Sequence, residues 1–251
     1  MGKYKFTWKN IEEEYQKILE NNYQIITCKE YVLKKGTFKG KVLVNRIDID
    51  FSVKKTKYLL DIFNRLKIKG TFFVRLHAPE YNPFSFENYK ILKRLLNEGH
   101  ELGYHSEIID QSIIWNESAE ACLIRDLKVL GEMFNYEVKS VASHGGNTGF
   151  NNLDFWKDKK PKEFGLMYEG YDKEPEYNIF QEAFYISDSE WTQWKCYNKG
   201  ELVEVYGNSL IKGEGSRVLY HRDYLDLGAM LYEQIPVFGS LTKWIKNKAS
   251  R

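Results

Sequence analysis

KVLVNRIDIDF, residues Lys41–Phe51, predicts a β-strand that ends in two aspartates. Asp48 and Asp50 lie two residues apart, so an extended backbone points both carboxylates to one face of the strand and Ile47 and Ile49 to the other. Two carboxylates crowded on one face repel each other unless a cation or a proton lies between them. The pair therefore predicts a polar site at the end of this strand.

After this strand, further predicted strands and amphipathic helices alternate up to about residue 145. An apolar stripe at helical spacing follows the first strand, and the aromatic run TFFVRL (Thr71–Leu76) predicts a buried second strand. The other predicted strands begin near residues 102 and 138, and the other predicted helices lie at 91–96 and 123–134. The resulting βαβαβαβ order predicts a parallel sheet packed against helices.

The chain shows no linker, internal repeat or low-complexity tract, so we expect a single domain over residues 1–251. A helical extension is expected over residues 1–40. The irregular, aromatic stretch 145–185 is expected to form loops over one end of the sheet. Late in the chain, SRVLYH (Ser216–His221) predicts one more strand.

The composition is that of a soluble globular protein, with 43% hydrophobic and 29% charged residues. A net charge of +2, from 37 basic and 35 acidic residues, offers no basic surface for nucleic acid, so no nucleic-acid partner is expected. The sequence begins without a secretory signal, and no segment is long enough to cross a bilayer. We therefore expect a cytoplasmic protein, and the oligomeric state is left open.

Polar side chains recur at the carboxyl ends of the predicted strands, where parallel β/α folds place their chemistry. His77, His105, His144 and His221 each end or follow a predicted strand, as the aspartate pair does. A lone histidine is usually only hydrogen-bonded within the fold, but four at the same end of separate strands indicate a shared site. Carboxylate and imidazole ligands predict a divalent metal ion, zinc first, with cobalt, manganese or nickel as alternatives.

Several motifs along the chain resemble, in order, those of one known protein family. RIDIDF, followed by KGTFF, resembles the family's strand motif TFDD, or RHDVD in a variant branch, followed by KATFF. The segment EGHELGYH resembles GHEIGNH, whose final histidine is a metal ligand in the family. That histidine corresponds to His105 here.

Four further stretches resemble the variant branch of this family, which is found in surface-polysaccharide biosynthesis. They are RLHAPEYNPFS (similar to RLHSxxYNPFS), SHGG (similar to MHG), YISDSEWTQW (similar to YLTDTGRRW) and LYH (similar to LLH or NTHP). The matches run in order from about Val42 to Asp223. The chain is thus similar to polysaccharide deacetylases of the NodB-homology type, carbohydrate esterase family 4.

The resemblance implies an α/β fold, a distorted and incomplete (β/α) barrel with its active site at the carboxyl ends of the strands. It implies that Asp50 and His105 are metal ligands and that Asp48 is the general base that activates water. His221 would be the general acid that protonates the departing amine. Asp188 would belong to the loop that orients His221.

Four more residues are candidates for contact with the substrate or with the charge that develops on it. Backbone N–H groups at His144 and Gly145 would stabilise the tetrahedral oxyanion, and glycine there would allow close approach. Trp191 would stack on a sugar face. His77 completes the predicted substrate-binding set.

One expected ligand is missing from the sequence. The family's motif continues as His-Ser/Thr-x-x-His, but Ile109 stands where its second histidine would be. Glu107, which follows in HSE, is one candidate for the third ligand, and His144 is the other. The sequence leaves this alternative open.

The function implied is that of a metal-dependent hydrolase that removes an N-acyl group, foremost N-acetyl, from a carbohydrate substrate. A nucleotide-linked or lipid-linked sugar made during surface polysaccharide synthesis is the expected substrate. Two alternatives remain: another amidohydrolase acting on a linear or cyclic amide, or a catalytically silent carbohydrate-binding relative.

Overall fold

The computed structural model describes residues 7–171, 184–187, 194–198, 201–206 and 229–234. Its α-helices are α1 (Trp8–Glu20), α2 (Cys28–Lys34), α3 (Val53–Leu66), α4 (Phe86–Asn97), α5 (Ile108–Trp115) and α6 (Ala119–Phe134), and two 3₁₀ helices follow, η1 (Asn152–Lys157) and η2 (Pro161–Phe164). Its strands are β1 (Tyr23–Ile26), β2 (Lys41–Ile49), β3 (Thr71–Val74), β4 (Glu101–Ser106), β5 (Ser140–Ser143), β6 (Tyr168–Glu169), β7 (Phe184–Ser187), β8 (Trp194–Asn198), β9 (Glu201–Tyr206) and β10 (Ala229–Gln234).

The described strands form one sheet in the order β6-β5-β4-β3-β2-β10-β7-β8-β9, and β1 pairs with the first half of β2. Every pairing from β6 to β7 is parallel, whereas β7, β8 and β9 run antiparallel. Neighbours in sequence are thus neighbours in space from β2 to β6, as in a singly wound (β/α) barrel. Among the described strands none joins β6 to β9, so the predicted incomplete barrel is confirmed.

Arg46 on β2 shows how strongly the sheet curls. In a flat sheet β2 and β6 would lie about 19 Å apart, because four strand spacings of roughly 4.8 Å separate them. Yet the Arg46 Nη1 donates to the carbonyl oxygen of Gly170, just after β6, over 2.7 Å. An arginine side chain cannot cross the flat-sheet distance, so the sheet must bend round until these strands face each other.

The curled sheet has two apolar layers, because successive side chains of a strand alternate between its faces. The inner layer contains Val42, Val44, Phe73, Ala142 and Tyr168, and the outer layer contains Leu43, Ile47, Ile49, Phe72 and Val74 packed against the helices. Gly103 on β4 has no room for a side chain, since a Cβ there would lie 2.4 Å from the Phe73 ring. The interior is therefore a packed core below the carboxyl-end rim.

A buried carboxylate ties four strands together inside this core. Glu101 on β4 accepts hydrogen bonds from Thr71 Oγ1 on β3 (2.6 Å), Ser140 Oγ on β5 (2.8 Å) and Tyr168 Oη on β6 (2.8 Å). A buried charge needs such donors, because an unpaired one is costly. Glu101 therefore fixes the relative positions of the strands whose other ends carry the candidate site.

The structure also contains elements that the sequence patterns did not indicate. The expected helical extension over residues 1–40 includes β1, which adds a parallel strand beside β2. The stretch 145–185, expected to be irregular, includes η1, η2 and β6. Helix α5 follows directly on β4. The strand predicted at Ser216–His221 lies outside the described residues.

Within the described part of the chain, no helix combines the length and the apolar character that crossing a membrane requires.

His100, the one histidine not predicted to lie at the site, is buried beneath the sheet with 4% of its surface exposed. Its Nδ1 accepts from the Gly70 N–H at 3.2 Å, and its ring packs against Phe63 and Phe72. Burial, helped by the nearby charges of Lys69 and Arg94, lowers the pKa of His100 from 6.5 to about 4. The folded protein therefore holds this imidazole neutral.

We expect this lowered pKa to weaken folding in acid. Between pH 6.5 and about 4 the unfolded chain binds a proton that folded His100 refuses, so roughly 3 kcal/mol of stability is lost as the pH falls through that window. His100→Asn keeps an acceptor for Gly70 but has no such titration. Denaturant unfolding at pH 7 and pH 4.5 should show the wild type losing more stability than the variant. Equal losses would contradict the argument.

Candidate metal centre

Three side chains from three strands converge at the carboxyl-end rim. Asp50 directly follows β2, His105 lies in β4, and His144 directly follows β5. One ligand atom of each lies within 4.8 Å of the others. Asp50 and His105 are buried, while the His144 side chain is 21% exposed. Among the described residues, Asp50, His105 and His144 form the group of donors suited to a metal ion, and we call them the metal group.

The atoms that face one another in this group lack hydrogen bonds. Asp50 Oδ1 and His105 Nε2 are both buried without a hydrogen-bond partner in the described part of the chain, although only 3.2 Å separates them. His144 Nε2 lies 3.9 Å from the same Asp50 oxygen. Buried polar atoms left unpaired are costly and rare in folded proteins. The three atoms point towards a common space, and a cation there would satisfy them.

His105 is oriented from behind through its Nδ1, and an acceptor lies near the Nδ1 of His144. His105 Nδ1 lies 2.9 Å from the Ala142 carbonyl oxygen, which can only accept, so this nitrogen carries the proton and Nε2 faces the group. His144 Nδ1 lies 3.7 Å from Glu107 Oε1. A second acceptor behind each imidazole is the usual arrangement for metal-ligating histidines. The two rings are thus poised to offer Nε2 as a ligand.

Burial and neighbouring charges shift the pKa values of the side chains in this group. Burial alone raises the pKa of Asp50, but His105, His144 and Arg75 outweigh it and hold that pKa below its ordinary value. Burial lowers the pKa of His144, and the neighbouring His105 and Arg75 lower it further. Burial by itself lowers the pKa of His105, but Asp48 and Asp50 outweigh it and raise that pKa above its ordinary value. Because a ligating imidazole must be neutral, a metal ion that binds here would displace a proton from His105.

Glu107, the first candidate for the third ligand, has another partner. Its Oε1 accepts from Arg75 Nη2 at 2.7 Å, and both side chains are almost fully buried. Glu107 does not join the group of mutually close ligand atoms, whereas His144 does. The geometry therefore favours His144 as the third donor and places Glu107 behind it.

Asp48 lies beside the group and is held by a residue that the sequence analysis did not single out. Its Oδ2 is 3.4 Å from His105 Nε2. Arg46 donates to both of its oxygens, Nε to Oδ1 at 3.0 Å and Nη2 to Oδ2 at 2.9 Å. The signal was present in the sequence, because a charged residue two positions before Asp48 in an apolar strand must share its face.

The loop after His144 is tied to α5 by Asp110. Its carboxylate accepts from the backbone N–H groups of Asn147 and Thr148 and from the Asn152 amide at 2.8–3.0 Å. The Asn152 Nδ2 also donates to the Gly145 carbonyl oxygen at 3.0 Å. These bonds fix the start of the loop, and with it His144, relative to the helix that follows β4.

The predicted oxyanion role is wrong for one of its two residues. The His144 N–H donates to the Ser106 carbonyl oxygen at 2.9 Å, which completes the pairing of β4 with β5 and leaves no donor for a substrate. An oxyanion role for Gly145 stays a prediction. Its backbone has open space beside it, since a Cβ at Gly145 would meet no atom within 4 Å.

His77, predicted to contact the substrate, lies outside the metal group. Its Nε2 is 2.8 Å from Asp126 Oδ2 on α6, and its ring meets Trp115 edge-on at 4.9 Å. Tyr104 and Gln111 donate to the same Asp126 oxygen. A substrate contact by the partly exposed His77 therefore stays a prediction. Asp188, Trp191 and His221 lie outside the described residues.

A comparison with known proteins shows which family shares this part of the sequence. The sequence model of the family described as polysaccharide deacetylase matches residues 35–158, which include every member of the metal group. This part of the chain belongs to the polysaccharide deacetylase family. The match begins before β2 and ends after η1, so the deacetylase domain contains the whole arc of strands that positions the group. A comparison with curated proteins gives no significant match.

Solved structures similar to this chain include three of bacterial or metagenomic origin. A Streptococcus mutans CE4 esterase is 14% identical over 92% of this chain and 90% of its own, with a TM-score of 0.48. The Streptococcus pyogenes deacetylase PplD, in complex with acetate, is 14% identical over 64% and 70%, with a TM-score of 0.45. The Xyl-CE4 domain of a multidomain xylanase from the Trinervitermes trinervoides hindgut metagenome is 23% identical over 42% and 49%, with a TM-score of 0.32. The chain thus spans about half the length of that last protein.

The choice between the two candidate third ligands can be measured as metal affinity. We expect His144→Gln to remove a ligand and to weaken Zn²⁺ binding by more than Glu107→Gln, which keeps an acceptor oxygen behind His144 but removes the carboxylate charge there and beside Arg75, and should cost about 10- to 100-fold. Competition against a chromophoric chelator gives both values.

His77→Gln is the matched control, because it makes the same change at a histidine outside the group and should leave the affinity unaltered. A larger loss in Glu107→Gln than in His144→Gln would reverse the assignment.

Proposed function

We propose that the chain is a metal-dependent hydrolase that removes an N-acetyl group from a sugar. The family supplies the coarser statement, since polysaccharide deacetylases are hydrolases that remove acetyl groups from carbohydrates. The observation that carries the proposal is the convergence of Asp50, His105 and His144 with two buried, unpaired atoms facing one space.

The donor set fits a divalent cation. One carboxylate and two imidazoles are the ligands found at catalytic zinc sites, which use three protein ligands and keep a further position open. Zn²⁺ is our first assignment, and Co²⁺, Mn²⁺ or Ni²⁺ would be accepted by the same donors. Bound there, the cation would act as a Lewis acid that polarises the amide carbonyl and makes water easier to deprotonate.

The protein's own residues would divide the two proton transfers of amide hydrolysis. Asp48, beside the metal group, would accept a proton from the attacking water as its oxygen bonds to the carbonyl carbon. His221 would then donate a proton to the nitrogen as the carbon–nitrogen bond breaks, with Asp188 helping to orient it. Acetate and a free amine leave. The roles of His221 and Asp188 rest on the sequence motifs alone.

We further propose that the substrate is a nucleotide-linked or lipid-linked sugar of surface polysaccharide synthesis. The motif RLHAPEYNPFS supports a sugar-biosynthesis setting, and one of its residues contacts the end of β2. Tyr81 donates to the Ile49 carbonyl oxygen and accepts from the Arg75 N–H at 2.9 Å, which joins this loop to the end of β2. The cytoplasmic location stays a prediction.

Acetate release from a panel of acetamido sugars, with and without chelator, tests the proposal. We expect metal-dependent acetate release by the wild type, and about a 100-fold or greater loss of turnover in Asp48→Asn, because the proton acceptor is gone. Metal content should stay at the wild-type level in this variant.

Asp61→Asn is the matched control, since it makes the same change on the exposed side of α3 and should leave turnover unaltered. Full turnover in Asp48→Asn would refute its assignment as the base. Bound metal without acetate from any sugar would favour the silent carbohydrate-binding relative, or an amidohydrolase with another substrate.

A further inference from the structure

Two aspartates of the same strand end lie almost equally close to the metal group. Asp50 Oδ1 is 3.2 Å and Asp48 Oδ2 is 3.4 Å from the same atom, His105 Nε2. Both side chains are buried and both are carboxylates, so neither distance nor chemistry by itself makes one a ligand and the other a base. The difference must come from their other contacts.

Arg46 engages Asp48 through two parallel hydrogen bonds, one to each carboxylate oxygen. Such a fork fixes a carboxylate in position and in plane, which a single point charge does not do. Both side chains have no exposed surface. Burial by itself lowers the pKa of Arg46, but the charge of Asp48 outweighs it and keeps that pKa well above its ordinary value.

Arg46 is itself held from the far side of the barrel. Its Nη1 donates to the Gly170 carbonyl oxygen at 2.7 Å, and its guanidinium lies 5.1 Å from the Phe73 ring and 4.4 Å from the Tyr171 ring. Contacts from β3 and from the end of β6 thus prevent the guanidinium from following Asp48 if the carboxylate moves. Asp48 is anchored to the barrel wall rather than to a mobile partner.

Among the described residues, none clamps Asp50 in this way. Arg75 reaches its backbone, with Nη1 donating to the Asp50 carbonyl oxygen at 3.1 Å, and its other terminal nitrogen binds Glu107. The Asp50 Oδ1 is left without a hydrogen-bond partner. The backbone of Asp50 is therefore fixed while its carboxylate oxygen stays available to a cation.

We propose that Arg46 decides which of the two aspartates binds the metal ion. By holding both oxygens of Asp48, Arg46 keeps that carboxylate out of the coordination shell, so the ion has three protein ligands and an open position. Asp48 can still act as a base while it is held in this way. A carboxylate has about four lone-pair sites, so two N–H donors leave it able to accept a proton from water. The part of the proposal that concerns turnover rests on the proposed function, and the part that concerns metal binding does not.

Removal of the clamp should therefore strengthen metal binding. Without Arg46, Asp48 would be a buried carboxylate with its main counter-charge gone, next to a dication that can neutralise it. It would then become an additional ligand and fill the open position. A purely structural role for Arg46 predicts the opposite sign, because a disordered site binds metal more weakly.

The experiment compares Co²⁺ affinity, the visible spectrum of bound Co²⁺ and acetate release in four proteins: the wild type, Arg46→Met, Arg46→Lys, and Arg46→Met combined with Asp48→Asn. We expect Arg46→Met to bind Co²⁺ about 10-fold or more tightly, to shift the spectrum, and to lose about 100-fold or more in turnover. Arg46→Lys should lie between it and the wild type, because an ammonium cannot hold both oxygens. The double variant should return to the wild-type affinity and spectrum while remaining inactive.

Each measurement has an outcome that would contradict either the proposal on Arg46 or the proposed function. Folded Arg46→Met with unchanged or weaker Co²⁺ binding overturns the proposal, even if the wild type is an active deacetylase. A wild type that binds Co²⁺ but releases no acetate defeats the proposed function alone, since the affinity series still reports on Arg46. If Arg46→Met does not fold, Arg46→Lys decides, and a wild-type affinity and spectrum in that variant overturn the proposal. A wild type without bound metal overturns both.

Discussion

The buried pair of Arg46 and Asp48 connects the fold to the site. Arg46 spans the barrel from β2 to the end of β6, so its length and its bond to the Gly170 carbonyl oxygen set how far the sheet must curl. The same guanidinium fixes the carboxylate that borders the metal group. Because buried ion pairs need excellent geometry to offset desolvation, a change in the curl of the sheet would disturb Asp48 directly. Arg46 therefore couples the shape of the barrel to the geometry of the site.

The main elements could be predicted because their patterns are periodic. The apolar stripes of α3 and α6 and the run that forms β3 are found where hydrophobic spacing indicates them. Strand β6 has only two residues, too few for a period to appear. Helix α5 is apolar on its exposed side, with Ile113 and Ile114 facing solvent, so its pattern shows no clear polar face. Short elements and apolar surfaces are where sequence patterns carry the least information.

The candidate site was predictable as far as side chains stay within strands. Asp48, Asp50 and His105 follow the alternation of β2 and β4, and the structure brings them together as that alternation requires. Glu107 is two residues past His105, and a continued strand would place it on the same face. The strand instead ends at Ser106, and Glu107 is the N-cap residue that precedes α5, where its carboxylate accepts from Arg75. No spacing rule could show that bend.

The three candidate ligands differ in how firmly the protein holds them, and this difference has a chemical use. Asp50 and His105 sit on buried strand ends, whereas His144 is partly exposed at the start of a loop that Asp110 and Asn152 tie to α5. Its Nδ1 is still 3.7 Å from Glu107, a gap that a small rotation of the ring would close. Two rigid ligands can set the position of a cation, and one adjustable ligand can then complete the site without straining the barrel. We therefore propose that His144, which follows β5, takes the place of the family's second histidine, whose position on α5 is occupied by Ile109.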